Sequence, residues 1–266
     1  MIVPISEPAR RNRRQRNAAV PVGAQATTLP GGEGTAIPSP LRLPGWRRLE
    51  WQTPRHVAWD IPPAGNRSRF YGAAKRLLDL VGAAALIIAL APVLAATYLV
   101  LMVTTKGRPI FVQERIGHLG RPFRVYKFRT MVMHAEQIRD LVENEHQGPI
   151  FKNRTDPRIT RVGRVLRSTS IDEFPQLFNV LLGQMSLVGP RPPLAEEVAQ
   201  YEPWQKVRLA VKPGLTCLWQ VSGRSEIGFD EWMRMDAWYV EHQGLLTDLA
   251  LLWKTPWAIL SRRGAY

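Results

Sequence analysis

Apolar residues are concentrated in one long segment of this chain. Residues 80–103 contain no Asp, Glu, Lys, Arg or His, and a helix needs about 20 apolar residues to cross the hydrocarbon core of a bilayer. Pro92 lies in the middle of the segment, where it removes a helical hydrogen bond and predicts a sharp bend. Each half is then only about 16–18 Å long, which is roughly half the thickness of the hydrocarbon core.

The flanks of this segment are basic on both sides. Arg67, Arg69, Lys75 and Arg76 precede it, and Lys106 and Arg108 follow it. A spanning helix would place one of these clusters on the wrong side of the membrane. We therefore predict a re-entrant helix over 77–103 that bends at Pro92 and returns to the same leaflet, with a spanning helix as the alternative. A buried helix of a soluble core is disfavoured because the segment is apolar on every face.

The remaining pattern predicts a mainly helical α+β protein. Ile110–Arg115 and Phe123–Phe128 are rich in β-branched and aromatic residues and indicate a small β-hairpin. On its second strand, Lys127 and Arg129 share one face. Leu245–Leu260 contains two tryptophans and indicates a short helix lying in the water–lipid interface.

Composition sets the first 70 residues apart. The 266-residue chain carries a net charge of +14, which suits phosphates, nucleic acid or anionic lipid. Up to Arg76 there are thirteen Lys or Arg and four acids, and ten prolines occur by Pro63. We predict a largely disordered basic extension over 1–70, in contact with anionic phospholipid rather than nucleic acid. Cys217 is the one cysteine, so no internal disulfide forms, and we expect it to be buried.

The densest chemistry lies between residues 156 and 191. Arginines recur at every third position, at Arg158, Arg161, Arg164 and Arg167. On a helix they form a basic surface that suits phosphate oxygens, although part of it would be solvated or lipid-facing.

An acidic pair, Asp172 and Glu173, follows these arginines, and Pro175 predicts a helix beginning close to Asp172. Ser170 and Glu173 also fit a capping box, which needs no catalytic role. Beside a row of arginines and a membrane segment, however, the two carboxylates can bind a divalent cation and a diphosphate together.

These motifs resemble the bacterial monotopic phosphoglycosyl transferases, over about Tyr71–Tyr266. The matching segments are Lys75-Arg76-Leu77-Leu78-Asp79, Tyr126-Lys127-Phe128-Arg129-Thr130-Met131, Asp156-Pro157-Arg158-Ile159-Thr160, Ser170-Ile171-Asp172-Glu173-Phe174-Pro175-Gln176, Gly189-Pro190-Arg191-Pro192 and Val211-Lys212-Pro213-Gly214. The chain looks like a compact member, with 71–266 as the catalytic domain. It departs from the family at Ala91, where a small polar residue often precedes the proline.

The resemblance implies transfer of a sugar 1-phosphate from a UDP-sugar to polyprenyl phosphate, with Mg²⁺, at the cytoplasmic face of the bacterial inner membrane. It implies Asp172 as the nucleophile, Glu173 as its acidic partner, and both as metal ligands. The substrate-binding candidates are Lys127, Arg129, Arg167, Arg191, Arg224 and Asp248. The ending Arg263-Gly264-Ala265-Tyr266 resembles a dimer-forming terminus of larger relatives, which makes a homodimer one candidate assembly and leaves the oligomeric state open. Nucleic acid is not an expected partner.

Two interpretations compete with this one. A non-catalytic basic scaffold on the membrane surface would explain the charged extension without any role for the acidic pair. Direct glycosyl transfer would release UDP instead of UMP. The identity of the donor sugar cannot be read from the sequence.

Overall fold

The computed structural model describes residues 69–145, 148–151 and 153–261. Its helices are α1 (Arg69–Thr104), α2 (Arg161–Ser168), α3 (Gln176–Leu181), α4 (Ala195–Ala199), α5 (Leu218–Ser222), α6 (Phe229–His242) and α7 (Leu245–Ser261). Its strands are β1 (Ile110–Ile116), β2 (Pro122–Phe128), β3 (Ser186–Val188) and β4 (Gly214–Thr216). The mostly helical class with a small hairpin is confirmed. The predicted disorder of the extension up to residue 68 and the predicted dimer-forming ending lie outside the described residues.

Helix α1 is the apolar segment expected from the sequence. It is long and apolar enough to cross a membrane by length and composition. The backbone stays helical from one end to the other, with Pro92 inside the helix. Its middle and end are exposed, with Ile88 at 75%, Leu99 at 65% and Val103 at 83% of full exposure. An apolar surface of this extent indicates a lipid or protein partner.

Both ends of α1 are attached to the same folded body. Near its start, the buried carboxylate of Asp79 accepts a hydrogen bond from Ser186 Oγ on β3 at 2.8 Å. Near its end, Leu101 packs against Phe128 of β2 and Leu166 of α2 in a small second core. Because β2 and β3 both pack against α3, the two anchors of α1 belong to one body.

The β1–β2 hairpin presents one polar face. In its antiparallel register Phe111 lies opposite Lys127, and Arg115 lies opposite Phe123. Directly opposed residues point to the same side of a sheet. Lys127 therefore shares its face with Gln113 and Arg115 of the first strand. This face lines the cavity described below.

The main core is built around α5 and α6. Trp219 and Trp232 are 5% and 2% exposed, and their ring centroids lie 4.3 Å apart. Cys217, at 2% exposure, is buried here as predicted. A short parallel pair, β3 with β4, completes the body. These tryptophans are ordinary core residues.

Helix α7 is amphipathic in the way expected for an interfacial helix. Leu251 faces the core at 1% exposure. The opposite side carries an exposed apolar stripe at helical spacing, formed by Leu246, Leu249, Trp253, Trp257 and Leu260. A stripe repeating every three or four residues lies along one face of a helix. The structure thus supplies the surface that the sequence predicted between residues 245 and 260.

Candidate active site

Helix α2 fixes the position of Arg167 beside the hairpin. Thr160 caps this helix, because its Oγ1 accepts a hydrogen bond from Gly163 N at 2.9 Å. A Cβ on Gly163 would overlap the carbonyl oxygen of Thr130, so the helix backbone runs directly against the chain that leaves β2. At the other end of α2, Arg167 Nε donates to Thr130 Oγ1 at 3.1 Å. Contacts with one residue, Thr130, therefore fix the position of the helix and the position of the Arg167 side chain.

The expected helical row of four arginines is wrong in one respect. The helix begins at Arg161, and Arg158 lies before it, buried at 4% exposure. Its Nη2 and Nε both bond the carboxylate of Asp156, with the shortest distance, Nη2 to Oδ2, at 2.7 Å. Arg161 and Arg164 are exposed. Arg158 thus stabilises its own loop. Because its guanidinium is already paired with Asp156, it is not free to bind an anionic ligand.

The acidic pair lies in a single 3₁₀ turn, Ile171–Glu173, immediately before α3. Ser170 enters this turn with a left-handed backbone, at φ 58° and ψ 15°, and its side chain makes no capping hydrogen bond. Its Oγ lies instead 3.4 Å from Nη2 of Arg224. The capping-box interpretation of Ser170 and Glu173 is therefore wrong. The regular helix begins at Gln176, later than predicted, with Pro175 at its N-cap.

The two carboxylates have different electrostatic environments. Glu173 Oε1 accepts a hydrogen bond from Lys127 Nζ at 2.8 Å. Burial opposes the charge on Glu173, but the cations Lys127 and Arg191 outweigh it and lower its pKa. Burial, together with repulsion from Glu173, raises the pKa of Asp172 to about 6. Asp172 is consequently the more basic carboxylate of the pair, while still mostly ionised at neutral pH.

Two further guanidinium groups face the pair and keep N–H donors that no described residue accepts. Arg191 lines the cavity, and its guanidinium donates no hydrogen bond to any residue that the structure describes. The Nε of Arg224 is buried and finds no partner within the described ranges. A buried N–H without an acceptor is costly. Both arginines therefore offer donors to an anionic ligand.

These groups share one cavity of about 340 Å³, a size typical of small-molecule sites. Seven of the eight predicted site residues line it: Lys127, Arg129, Arg167, Asp172, Glu173, Arg191 and Arg224. Five of these are cations and two are acids. Such a surplus of positive charge around a carboxylate pair suits a ligand that carries several negative charges.

Arg129 has a more structural position than the other cations. Its Nε donates to the carbonyl oxygen of Arg108 at 2.8 Å. Its guanidinium also lies 5.5 Å from the ring centroid of Phe111. These contacts join the end of β2 to the loop that leaves α1, so only part of the Arg129 side chain is available to a ligand.

Asp248 is the predicted site residue that the structure places elsewhere. It is fully buried on α7 and does not line the cavity. Its Oδ2 bonds Lys75 Nζ at 2.8 Å and Tyr71 OH at 3.1 Å, and its Oδ1 accepts from Tyr239 OH at 2.7 Å. The carboxylate joins α1 to α7, because Lys75 brings a charge into the interior that only an acid can neutralise.

Replacing Asp248 by Asn should therefore change stability rather than ligand binding. Removing one member of a buried ion pair costs about 3–5 kcal/mol, since the other charge stays buried. We expect denaturant unfolding in detergent to show such a loss, with Asp230→Asn on the exposed side of α6 as a neutral control. Full stability combined with weaker binding of UDP would place Asp248 in the site after all.

The sequence interpretation missed Arg115, which is 7% exposed on β1 and lines the same cavity. Burial and the nearby Arg191 lower its pKa to about 10, so it remains a cation at neutral pH. The sequence did contain a signal for Arg115. Phe111, Gln113 and Arg115 are alternate residues of one strand, so their side chains lie on the same face. Identifying that face with the face of Lys127 required the register of the hairpin.

The acidic pair has a donor set that suits Mg²⁺. Magnesium prefers oxygen ligands and commonly uses one or two carboxylates, with phosphate and water completing its octahedron. Asp172 makes no ion pair with a described residue, and Glu173 uses only Oε1 on Lys127. Within the described ranges no group of three or more His, Cys, Asp or Glu residues could hold a metal. Phosphate oxygens and water would therefore have to supply the remaining coordination.

Comparison with known proteins agrees with this geometry. Residues 70–262 match the family model described as bacterial sugar transferase. The UDP-galactose-lipid carrier transferase of Erwinia amylovora is 43% identical over 76% of this chain and 43% of its own length. The undecaprenyl-phosphate galactose phosphotransferase of Salmonella typhimurium is 44% identical over the same shares of the two chains.

The chain thus spans less than half the length of these two relatives. It covers more of the exopolysaccharide production protein ExoY of Sinorhizobium fredii, which is 36% identical over 73% of this chain and 89% of its own length. The matched region contains the hairpin, α2, the acidic pair and α7. By this match, and with these elements in place, the chain belongs to the bacterial sugar transferase family.

Proposed function

We propose that this chain transfers a sugar 1-phosphate from a UDP-sugar to polyprenyl phosphate and releases UMP. The observation that carries the proposal is the pairing of two unlike carboxylates in a cationic cavity. Glu173 is neutralised by Lys127, while Asp172 is buried, more basic and without a bonded cation among the described residues. The names of the relatives, which include a phosphotransferase acting with undecaprenyl phosphate, support the same reaction.

In the first step the Asp172 carboxylate attacks the β-phosphorus of the donor. A bond forms between an Asp172 oxygen and that phosphorus, and the bond to the bridging oxygen of UMP breaks. A carboxylate is already ionised at neutral pH and needs no base, but it must approach an anionic diphosphate. Arg167, Arg191 and Arg224 offset that repulsion, and charge neutralisation with positioning is most of what phosphoryl transfer requires.

In the second step a phosphate oxygen of polyprenyl phosphate attacks the same phosphorus. The aspartyl–phosphorus bond breaks, Asp172 is restored as a carboxylate, and a polyprenyl diphosphate sugar leaves. Lys127 keeps Glu173 ionised beside the reacting group throughout. The cationic lining of the cavity serves both steps, because each passes through a phosphorus centre carrying several negative oxygens.

Asp172 and Glu173 would hold Mg²⁺ together with the donor phosphates. When bound, the ion would supply charge neutralisation to the diphosphate. The protein's own contribution is to place Asp172 and Glu173 next to each other on the turn after Ser170, with Arg224 bonded to that serine. Dependence of UMP release on added Mg²⁺, and its loss with EDTA, would test this assignment.

We infer that α1 enters and leaves the membrane on one side, at the cytoplasmic face of the inner membrane. The support is the attachment of both its ends to one body, through Asp79 near the start and Leu101 near the end. A bilayer core about 30 Å thick between those anchors would divide that body across the membrane. The exposed stripe on α7 gives the same body a second apolar contact with the lipid surface.

Cysteine labelling tests this topology directly. The native Cys217 is buried, and burial raises its thiol pKa well above the ordinary range, so it should not react. Single cysteines can replace Phe70, in the first turn of α1, and Lys106, just after its end, since both residues are exposed. In sealed inverted membrane vesicles, both should react with a membrane-impermeant maleimide. Reaction of only one of them would establish a spanning helix.

Identification of the released nucleotide tests the reaction. Purified protein in lipid with polyprenyl phosphate should convert a UDP-sugar to UMP. UDP-galactose is the first donor to use, because two relatives carry galactose in their names, followed by UDP-glucose and the N-acetyl forms. Release of UDP would establish direct glycosyl transfer, and no release from any donor would favour the scaffold interpretation.

The pKa of Asp172 predicts the acidic limb of the pH profile. An ordinary aspartate keeps its charge down to about pH 4, whereas burial and Glu173 raise the pKa of Asp172 to about 6. We expect kcat/KM for UMP release to be level above that pH and to fall towards tenfold per pH unit below it. The control is Lys127→Met, which should move the limb upward because the charge of Lys127 lowers this pKa. A limb near pH 4 that does not move would contradict the assignment of Asp172.

A further inference from the structure

The loop that carries Arg191 is held through its carbonyl groups. Residues 190–193 read Pro-Arg-Pro-Pro, so three of the four have no N–H and cannot join a helix or sheet ladder through one. Each of the four carbonyl oxygens nevertheless accepts a hydrogen bond. The donors, in chain order, are Gly214 N at 2.9 Å, Arg208 Nη2 at 2.9 Å, Arg115 Nη1 at 3.1 Å and Ile116 N at 2.9 Å.

Two of these four donors are buried guanidinium groups. Arg208 is 2% exposed and bonds the carbonyl of Arg191 itself, and Arg115 is 7% exposed and bonds the next carbonyl, that of Pro192. Arginine is rarely buried, because its charge must be paired and its donors satisfied. Burying two arginines to bond adjacent carbonyl groups is therefore energetically unfavourable. Rigidity of the loop alone would not require it.

Arg208 is itself held from three sides. Its Nη2 lies 2.7 Å from Asp236 Oδ2 of α6, and its Nη1 donates to Tyr201 OH at 2.7 Å. Its guanidinium also lies 5.3 Å from the ring centroid of Trp232. The pairing with Asp236 fixes the orientation of the planar group, so the direction in which Nη2 presents its hydrogen to the Arg191 carbonyl is fixed as well.

Arg191 depends on this support more than the other cations of the cavity do. Lys127 is fixed by Glu173, Arg167 by Thr130 and Arg224 by Ser170. The Arg191 guanidinium, by contrast, bonds no residue in the described part of the chain. Its place in the cavity is consequently set by its main chain alone, which Arg208 and its neighbours hold.

We propose that Arg208 is a positioning residue for the transfer reaction, which acts by fixing the main chain of Arg191 so that its guanidinium meets the donor phosphates. This inference rests on the proposed function. Arg208 does not line the cavity, and its charge is paired with Asp236. Its effect on catalysis should therefore vanish when the Arg191 side chain is absent.

A double-mutant cycle between Arg208→Lys and Arg191→Ala tests this dependence. Lysine keeps the charge but has a single nitrogen, which cannot bond Asp236, Tyr201 and the Arg191 carbonyl in the geometry of a fork. We expect Arg191→Ala to lower kcat/KM for UMP release by about 100-fold, the usual cost of one charge-stabilising donor. Arg208→Lys alone should cost about tenfold or more, since small displacements of catalytic groups are expensive.

In the Arg191→Ala background, Arg208→Lys should cost less than about twofold, because residues acting as a unit are non-additive. Measuring the Kd of UDP for the same four proteins should show the same non-additivity, and this measurement does not depend on turnover. The matched control is Val240→Ala, which leaves a cavity beside the same helix that carries Asp236. Any loss it causes should be equal in both backgrounds, as expected for general destabilisation.

If Arg208→Lys costs the same factor with and without the Arg191 side chain, in turnover and in UDP binding, the positioning role is overturned. Should Arg208→Lys fail to fold, Tyr201→Phe removes only one acceptor from Arg208 and takes its place in the cycle. If the wild type binds UDP but releases no UMP, the proposed function fails separately. The UDP-binding cycle then still decides whether Arg208 acts through Arg191.

Discussion

Replacing Asp172 by Asn is expected to abolish UMP release and, at the same time, to stabilise the folded protein. The amide cannot form the acyl phosphate, so loss of at least about 1,000-fold in kcat/KM is expected, as for removal of other catalytic nucleophiles. Incubation with a donor labelled in the sugar should then leave no label on the protein. The wild type should carry a label that polyprenyl phosphate removes.

The gain in stability follows from the raised pKa of Asp172. The pKa of Asp172 is about 6 in the folded state and about 3.9 in the unfolded state. The Asp172 carboxyl therefore binds a proton more tightly when the protein is folded. Stability therefore falls as the pH rises from about 4 to 6, and the penalty is complete at neutral pH. Two pKa units correspond to an upper limit of about 3 kcal/mol, which the uncharged amide avoids.

The measurement is thermal or denaturant unfolding at pH 7.5 and again at pH 4, without Mg²⁺. The advantage of Asp172→Asn should be present at the higher pH and disappear at the lower one. Asp230→Asn, on an exposed part of α6, should change neither activity nor stability. Full UMP release by Asp172→Asn would remove Asp172 from the role of nucleophile.

Replacing Gly163 by Ala is expected to cause a large loss of stability for the addition of a single methyl group. Its Cβ would overlap the carbonyl group of Thr130, which is rigid backbone rather than a side chain that can turn away. Helix α2 would have to move off the end of β2, and overpacking of this kind costs about 1–3 kcal/mol or more. Arg167 would move with it, because Thr130 is its hydrogen-bond partner.

Gly72 is the matched control for this substitution. It lies inside α1, and a Cβ added there would have no neighbouring atom within 4 Å. Alanine is favoured over glycine in a helix by about 1 kcal/mol, so Gly72→Ala should keep or raise the melting temperature. We expect Gly163→Ala to lower both the melting temperature and UMP release. Equal melting curves for the two variants would show that α2 does not depend on this close approach.

The elements predicted from local pattern were the accurate ones. The hairpin, the apolar helix α1 and the helix α7 with its apolar stripe follow from periodicity and composition, which are properties of neighbouring residues. The helix predicted to begin close to Asp172 begins at Gln176 instead. The left-handed backbone of Ser170 is followed by a separate 3₁₀ turn that holds Asp172. A single left-handed residue leaves little trace in a sequence pattern.

The parts of the site that depend on which side chains pair with each other were harder to predict. Arg158 looked like a member of a basic helix until Asp156, two residues earlier, proved to be its partner. Asp248 was expected at the substrate, yet it bonds Lys75, a residue 173 positions away. Such pairs are set by the fold, and a charge pattern in one dimension does not identify which cation meets which acid.

The ion pair between Lys75 and Asp248 also constrains the order in which the protein is completed on the ribosome. Helix α1 is synthesised early, whereas its acidic partner belongs to α7, near the end of the chain. Until α7 has emerged, the carboxylate that Lys75 bonds in the folded protein has not been made. The bond between Lys75 and Asp248 therefore forms only after α7 has been synthesised. Because α7 follows the other helices of the described residues, this contact between α1 and α7 is made after the rest of that body has been synthesised.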